Sequence, residues 1–184
     1  MELLKLNNIS YDNASAPLPL SAKSILKKNV DYGFINGRKK PSLLKPGAEK
    51  LRMSYNLTVK SIDCVSEIFD VEKKFIDATY KCILVNQDGD TVGICDGNAN
   101  SEELQFKYKY RQSDLKPSNE LSEKLKRLGK GKWVKRIDGW VWYERVINED
   151  ILGLKNNIKK IAQKRAFVGA VLMGTCTSEL FTQE

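Results

Sequence analysis

Residues 58 to 100 read TVKSIDCVSEIFDVEKKFIDATYKCILVNQDGDTVGICDGNAN, and the character of the chain changes on entering them. β-Branched and aromatic residues come in alternating runs, TVKSIDCVSEIF, KFIDATYKCILVN and TVGICDGNAN, with the period of two that a half-buried strand requires. Gln87-Asp88-Gly89-Asp90 separates the last two runs with turn chemistry. The spacing predicts a three-stranded antiparallel meander. Asp88, Asp90 and Asp96 do not meet the ligand spacing of a calcium loop, and no glutamate follows at the position that loop needs, so a hairpin turn accounts for them.

Upstream, Gly33, Gly37, Pro41 and Pro46 fall in quick succession, which is loop chemistry, and a helix is expected from about Pro46 to Tyr55 with proline in its first turn. Pro17 and Pro19 interrupt any long helix before that, so residues 1 to 30 read as an attached arm. Downstream, LQFKYKYRQ reads as a strand with Lys107, Lys109 and Arg111 on one side and Phe106, Tyr108 and Tyr110 on the other. A polar, mobile segment is expected from there to Leu128. WVKRIDGWVWYERV is a hairpin signal around Asp138-Gly139, which would set Lys135 opposite Trp142 and Trp133 opposite Glu144. Trp133, Lys135, Trp140 and Trp142 then share one face, with Val134, Arg136, Val141, Tyr143 and Arg145 on the other. Whether the tryptophans stack on bases or pack in the core is left open by the pattern.

The last element, from about Asn156 to Gly174, is helical by period, with Ile158, Ile161, Ala162, Ala166, Gly169, Leu172 and Met173 on one arc. That arc should pack on the sheet. Lys159, Lys160 and Lys164 lie opposite it, and Phe167 and Val171 continue their side toward the C-terminal half. An apolar outer end needs a second burial partner, either a neighbouring subunit or more of the same chain. Arg165 falls within the buried arc and must snorkel or find a partner. The expected fold is therefore α+β: an antiparallel meander packed on a long C-terminal helix, with an extra hairpin and an N-terminal helix. One domain over residues 31 to 184 would carry a basic insertion at about 104 to 150.

The 184 residues carry a formal charge of +8. Residues 104 to 165 hold 17 Lys and Arg against 7 Asp and Glu, while the rest of the chain is slightly acidic. A positive charge concentrated in one region points to a polyanionic partner. The chain has no histidine, which removes the usual general base and any Ser-His-Asp or Cys-His arrangement. Cys64, Cys82, Cys95 and Cys176 are far apart and read as reduced core cysteines, without C-x-x-C spacing. Gly129 and Gly131 in LGKGKW do not meet the G-x-x-x-x-G-K-[ST] spacing of a phosphate loop. No catalytic residue, metal or cofactor is expected. No membrane span or secretory leader is apparent, so a cytoplasmic protein of a bacterium or phage-infected cell is expected.

Single strands are held by cations that follow the phosphates and by aromatic faces on which bases stack. Lys107 to Arg111 and Lys132 to Arg145 interleave the two, with Lys107, Lys109, Arg111, Lys135 and Arg136 as binding cations and Tyr108, Tyr110, Trp140 and Trp142 as stacking candidates. Arg38, Lys39, Lys40 and Lys45 form a second basic cluster.

DYGFINGRKKPSLLKPGAEKL (31 to 51) and NNIKKIAQKRAFVGAVLMGTCTSELFTQE (156 to 184) resemble the two signature segments of phage and bacterial DdrA-like proteins, of the single-strand annealing superfamily that includes Rad fifty-two and phage Red-beta. With the meander, the resemblance covers about two thirds of the chain. It implies a β-β-β-α core, rings or filaments of identical subunits, and a basic groove between sheet and helix. Lys39, Lys40, Lys45, Lys159, Lys160, Lys164 and Arg165 would be the basic members near that groove, and Phe167 and Val171 would offer an assembly surface. The expectation is an ATP-independent single-stranded DNA-binding and annealing protein in recombination, repair or phage replication. Its ligand would be single-stranded DNA or RNA, with a single-strand-binding protein or an exonuclease as partner. The alternatives are a nucleic-acid-processing enzyme with magnesium on Asp63, Asp77 or Asp96, and a regulatory or anti-defence interaction protein on the same fold.

Overall fold

A computed structural model of the chain describes residues 25–34 and 39–183. Most of the expected N-terminal arm, and Arg38, lie outside the described residues. The fold is α+β, with antiparallel sheets and a long C-terminal helix packed on them. The chain divides into two compact units, one built from Met1–Asp63, Tyr80–Gly97 and Gln163–Glu184 and the other from Cys64–Thr79 and Asn98–Ala162. The second contains the whole of the basic stretch 104 to 150.

The meander forms as the alternation predicts: β3 (Thr58–Asp70), β4 (Phe75–Val85) and β5 (Thr91–Asn100) make one sheet in the order β3-β4-β5. Every second residue of β4 from Ile76 to Leu84 is buried, so a single face of this central strand builds core. In the turn before β5, the Asn86 side-chain oxygen accepts from the N–H groups of Asp88 and Asp90. That is an Asx turn, so these acids serve hairpin geometry.

In the first unit, β1 (Tyr32–Gly33) pairs antiparallel with β2 (Ser42–Leu43), ahead of α1 (Lys45–Ser54) with its proline in the first turn. The Asp31 carboxylate is fully buried and accepts from Lys50 Nζ at 2.6 Å and from the Lys27 N–H at 2.7 Å, tying the loop to α1. Burial would raise its pKa, but these two donors overcome that and hold it below the ordinary value. The C-terminal half of α4 (Lys155–Gly174) lies on β5 here, so close that a Cβ on Gly93 would sit 2.4 Å from the Ala170 carbonyl oxygen.

The chain end then returns. The Leu43 N–H donates to Thr182 O at 2.9 Å, the Thr182 N–H to Pro41 O at 2.8 Å, and the Gln183 side chain to Arg165 O at 2.7 Å. Phe181 meets the Tyr32 ring. The reading of Phe167 and Val171 as an assembly surface is corrected, because both are buried at 6% and 0% exposure within the chain. All seven residues from Ala166 to Leu172 are buried, whereas Met173, expected inside, is 55% exposed. The four cysteines are free, but only Cys82 is a core residue, with burial pushing its thiol up to about 11; Cys64 and Cys176 are exposed and Cys95 half-buried.

In the second unit, Leu104–Lys107 is one turn of helix, α2, and the expected strand begins only at Tyr108, giving β6 (Tyr108–Gln112). The supposedly mobile segment contains α3 (Asn119–Arg127). Ser118 caps it by accepting from the Leu121 N–H, with Glu120 in the first turn and Lys124, Lys126 and Arg127 in the last. A Schellman motif ends it: the Gly129 N–H donates to Lys126 O, the Lys130 N–H to Leu125 O, and Gly129 takes φ +64°. Strands β7 (Gly131–Arg136) and β8 (Gly139–Ile147) form the expected hairpin, which β6 joins to make an antiparallel sheet in the order β6-β8-β7. Among the described residues no helix is long and apolar enough to cross a membrane.

Candidate nucleic-acid interface

Register decides what the β6-β8-β7 sheet presents. Trp133 lies opposite Trp142 and Lys135 opposite Trp140, two residues away from the pairing expected for an Asp138-Gly139 turn, because the loop is Ile137-Asp138. A shift of two leaves every side chain on its expected face. One face carries Trp133, Lys135, Trp140 and Trp142, and the pairing of Arg111 with Glu144 and Lys109 with Val146 adds two cations to it. On it Trp142 is 1% exposed, packed edge-on against Trp133 with ring centroids 5.2 Å apart. A Cβ on Gly131 would fall 2.2 Å from the Trp142 ring, so the glycines of LGKGKW end a helix and seat an indole. Trp142 is thus a core residue and not a stacking platform. Trp140 stays 65% exposed.

The opposite face holds a different set. Tyr110 pairs with Arg145 and Lys132 with Tyr143, so these four point the same way as Tyr108 and Arg136. Each tyrosine has its own cation: Arg145 Cζ lies 4.0 Å from the Tyr108 centroid, Lys132 Nζ 4.1 Å from that of Tyr110, and Arg136 Cζ 5.3 Å from that of Tyr143. Arg136 also donates from Nε to the Tyr143 hydroxyl at 3.1 Å, and Arg145 from Nη1 to Gly129 O at 3.4 Å. Tyr110, Lys132 and Arg136 are exposed and Tyr108, Tyr143 and Arg145 half-buried. A cation over an exposed ring gains about 0.5–1 kcal/mol and loses little of its hydration, so the charge is positioned yet available to a phosphate.

The other sequence candidates are divided. Lys39, Lys40 and Lys45 belong to the first unit, Lys45 beside Glu49 at 3.4 Å. Lys164 and Arg165 are also in the first unit, half-buried, and neither is free. Lys159 is in the second, where Glu67 neutralises it at 2.9 Å while holding Lys155 at 3.0 Å; Lys160 beside it is exposed. Hydrogen bonds from Lys159 and then Lys155 hold the Glu67 carboxyl below its ordinary range. Lys107 is ion-paired with Glu102, which raises its pKa. Of the expected binding residues, the sheet brings together Tyr108, Tyr110 and Arg136 on one face and Lys109, Arg111, Lys135 and Trp140 on the other. Lys132 and Arg145 bound the second basic run expected from the sequence without being among its expected binding cations, and Tyr143 is a ring to which the sequence reading assigns no role. Their parity in the two runs marks them, but only once β6 is known to pair with β8.

Asp63, Asp77 and Asp96 do not gather. Asp77 accepts from the Asn98 side chain at 3.0 Å, and Asp96 lies 4.0 Å from Lys81. Among the described residues no three His, Cys, Asp or Glu side chains are grouped to hold a metal ion.

No family model matches this chain. Neither the curated proteins nor the solved structures searched contain a match.

Proposed function

We propose that this protein binds single-stranded nucleic acid along the tyrosine face of the β6-β8-β7 sheet and promotes annealing of complementary strands without ATP. The observation that carries the reading is the row of three tyrosines each paired with a lysine or arginine on one open sheet face. Cations positioned for phosphates beside ring faces for bases are the two ingredients of sequence-tolerant single-strand binding, each stacked base contributing about 1–3 kcal/mol. The concentration of positive charge in residues 104 to 165 supports it, as does the resemblance of the terminal segments to DdrA-like annealing proteins. Annealing demands no proton transfer, only screened phosphates and bases held apart from their own strand, so a chain without histidine can perform it. Identical subunits side by side would lengthen the row, and an assembly in recombination, repair or phage replication fits this chemistry.

The test combines a salt titration of single- and double-stranded oligonucleotide binding, an annealing assay without nucleotide, and a measurement of assembly mass. Expected are tighter binding of single strands, little dependence on sequence, and a linear fall of log affinity with log salt. Failure to bind any oligonucleotide at low salt would overturn the proposal.

A further inference from the structure

We infer that the tip of the β7–β8 hairpin is a wedge that opens the first base step where a single strand meets a duplex. This rests on the single-strand reading above, and the hairpin itself supplies the new observation. Pairing runs out to Arg136 opposite Gly139, so the strands stay together to the last residue before the two-residue loop. The tip then presents Ile137, at 103% exposure the most exposed large apolar side chain among the described residues, with Trp140 at 65% beside it. An isoleucine fully in water contributes no burial to the fold. The tryptophans below it, Trp133 against Trp142, brace the hairpin from one side.

Charge complementarity selects the partner. Lys135 lies opposite Trp140 on one face, and Arg136, fixed on the Tyr143 hydroxyl, stands on the other. Asp138 completes the two-residue loop, so the tip is an apolar side chain and one carboxylate flanked by two cations, and the remaining positive charge suits the end of a duplex, where two phosphate backbones diverge around a stack of bases. Apolar side chains of this kind enter base steps in proteins that kink or open duplexes. Here Ile137 enters the terminal step, Trp140 receives the base that leaves the stack, and Lys135 and Arg136 each face one backbone. The Tyr143–Arg136 pair then begins the row that carries the released strand onward.

The experiment uses the full chain and a forked oligonucleotide with a fluorescent adenine analogue at the first paired position, beside a single strand of the same length. The wild-type protein is expected to bind the fork about threefold or more tightly than the single strand and to raise the analogue's fluorescence as its base unstacks. Ile137→Ser should abolish the fluorescence rise and the fork preference, leaving single-strand affinity and thermal midpoint unchanged, since the side chain touches no core. Single-strand binding with no response at the fork, or an Ile137→Ser protein that still opens it, overturns the wedge alone. Absence of all oligonucleotide binding overturns the single-strand reading and the wedge with it. Insertion of Trp140 into anionic phospholipid vesicles without a fork response reassigns the tip to a lipid surface and also overturns it.

Discussion

The Arg145 guanidinium lies 4.0 Å from the centroid of the Tyr108 ring and within 3.4 Å of the Gly129 carbonyl oxygen, so its position is set by a strand and by the end of a helix together. Two anchors fix this long side chain before any ligand arrives, and less rotamer freedom is lost on binding. Arg145→Ala should lower affinity for every single strand about three- to tenfold and reduce the steepness of the log–log salt plot by about 0.7, the loss of one phosphate contact. Arg145→Lys keeps the charge but loses the planar stack, and should recover the slope more than the affinity. Fluorescence anisotropy at four or five salt concentrations reads both; an unaltered slope in the alanine protein removes Arg145 from the track.

Trp140 and Trp142 stand two residues apart on the same face and should behave oppositely. Trp142, 1% exposed, fills core, and Trp142→Ala is expected to cost about 3–5 kcal/mol of unfolding free energy by transfer and cavity. Trp140→Ala should leave the denaturant midpoint within experimental scatter and, since Trp140 lies on the face opposite the tyrosine row, weaken binding of the forked oligonucleotide by about 1 kcal/mol or more, the loss of one stacking surface, with single-strand affinity little changed. Urea unfolding and oligonucleotide titration on both variants check the pair. Equal loss of stability would return Trp140 to the core.

The sequence revealed what depends on local period and missed what depends on distant pairing. The alternation in β4 announced its buried face, and the parity of the tryptophan hairpin put each of its residues on the observed face even though the register is off by two. The register itself turned on the loop, where Ile137 and not Gly139 is a central residue, and a Gly directly after a two-residue loop looks in sequence like part of it. The tyrosine row was hidden because β6 and β8 are separated by more than twenty residues, and no local signal pairs Tyr110 with Arg145. In α3 Leu121, Leu125 and Leu128 recur at helical spacing between the Ser118 cap and the Gly129 terminus, so this helix was legible in the sequence and its reading as a mobile segment overlooked that period. Phe167 and Val171 read as surface because periodicity along one helix cannot show that the same chain also buries its outer side, where they are 6% and 0% exposed.

Helix and sheet meet at Gly93 without room for a methyl group. A Cβ there would lie 2.4 Å from the Ala170 carbonyl oxygen, which belongs to a buried stretch of helix with little freedom to withdraw. Gly93→Ala should therefore destabilise the protein by about 2–3 kcal/mol through overpacking, visible as a lower denaturant midpoint. Gly89→Ala, at an open turn with φ +87°, strains only one exposed residue and should cost about 1 kcal/mol. Gly93→Ala being the milder of the two would show that the helix does not press on β5.

Glu67 holds Lys155 and Lys159 at once, and its lowered pKa fixes the sign of a pH effect. A carboxylate whose folded pKa lies below its unfolded value of about 4.3 stabilises the fold above that unfolded value, and the contribution disappears as pH falls through the folded pKa. The difference in thermal midpoint between wild type and Glu67→Gln should accordingly be constant near neutrality, shrink as pH drops below about 4, and close in more acidic solution. Binding should respond in the other sense. With the acid gone, two lysines in the unit that carries the tyrosine row lose their internal counter-charge, so Glu67→Gln should bind single strands somewhat more tightly at low salt, about two- to threefold, with a steeper salt dependence. A steeper slope with a lower neutral-pH midpoint would establish that Glu67 trades cations between the fold and the polyanion. An unchanged slope would mean that Lys155 and Lys159 serve the fold alone and that the strand runs elsewhere.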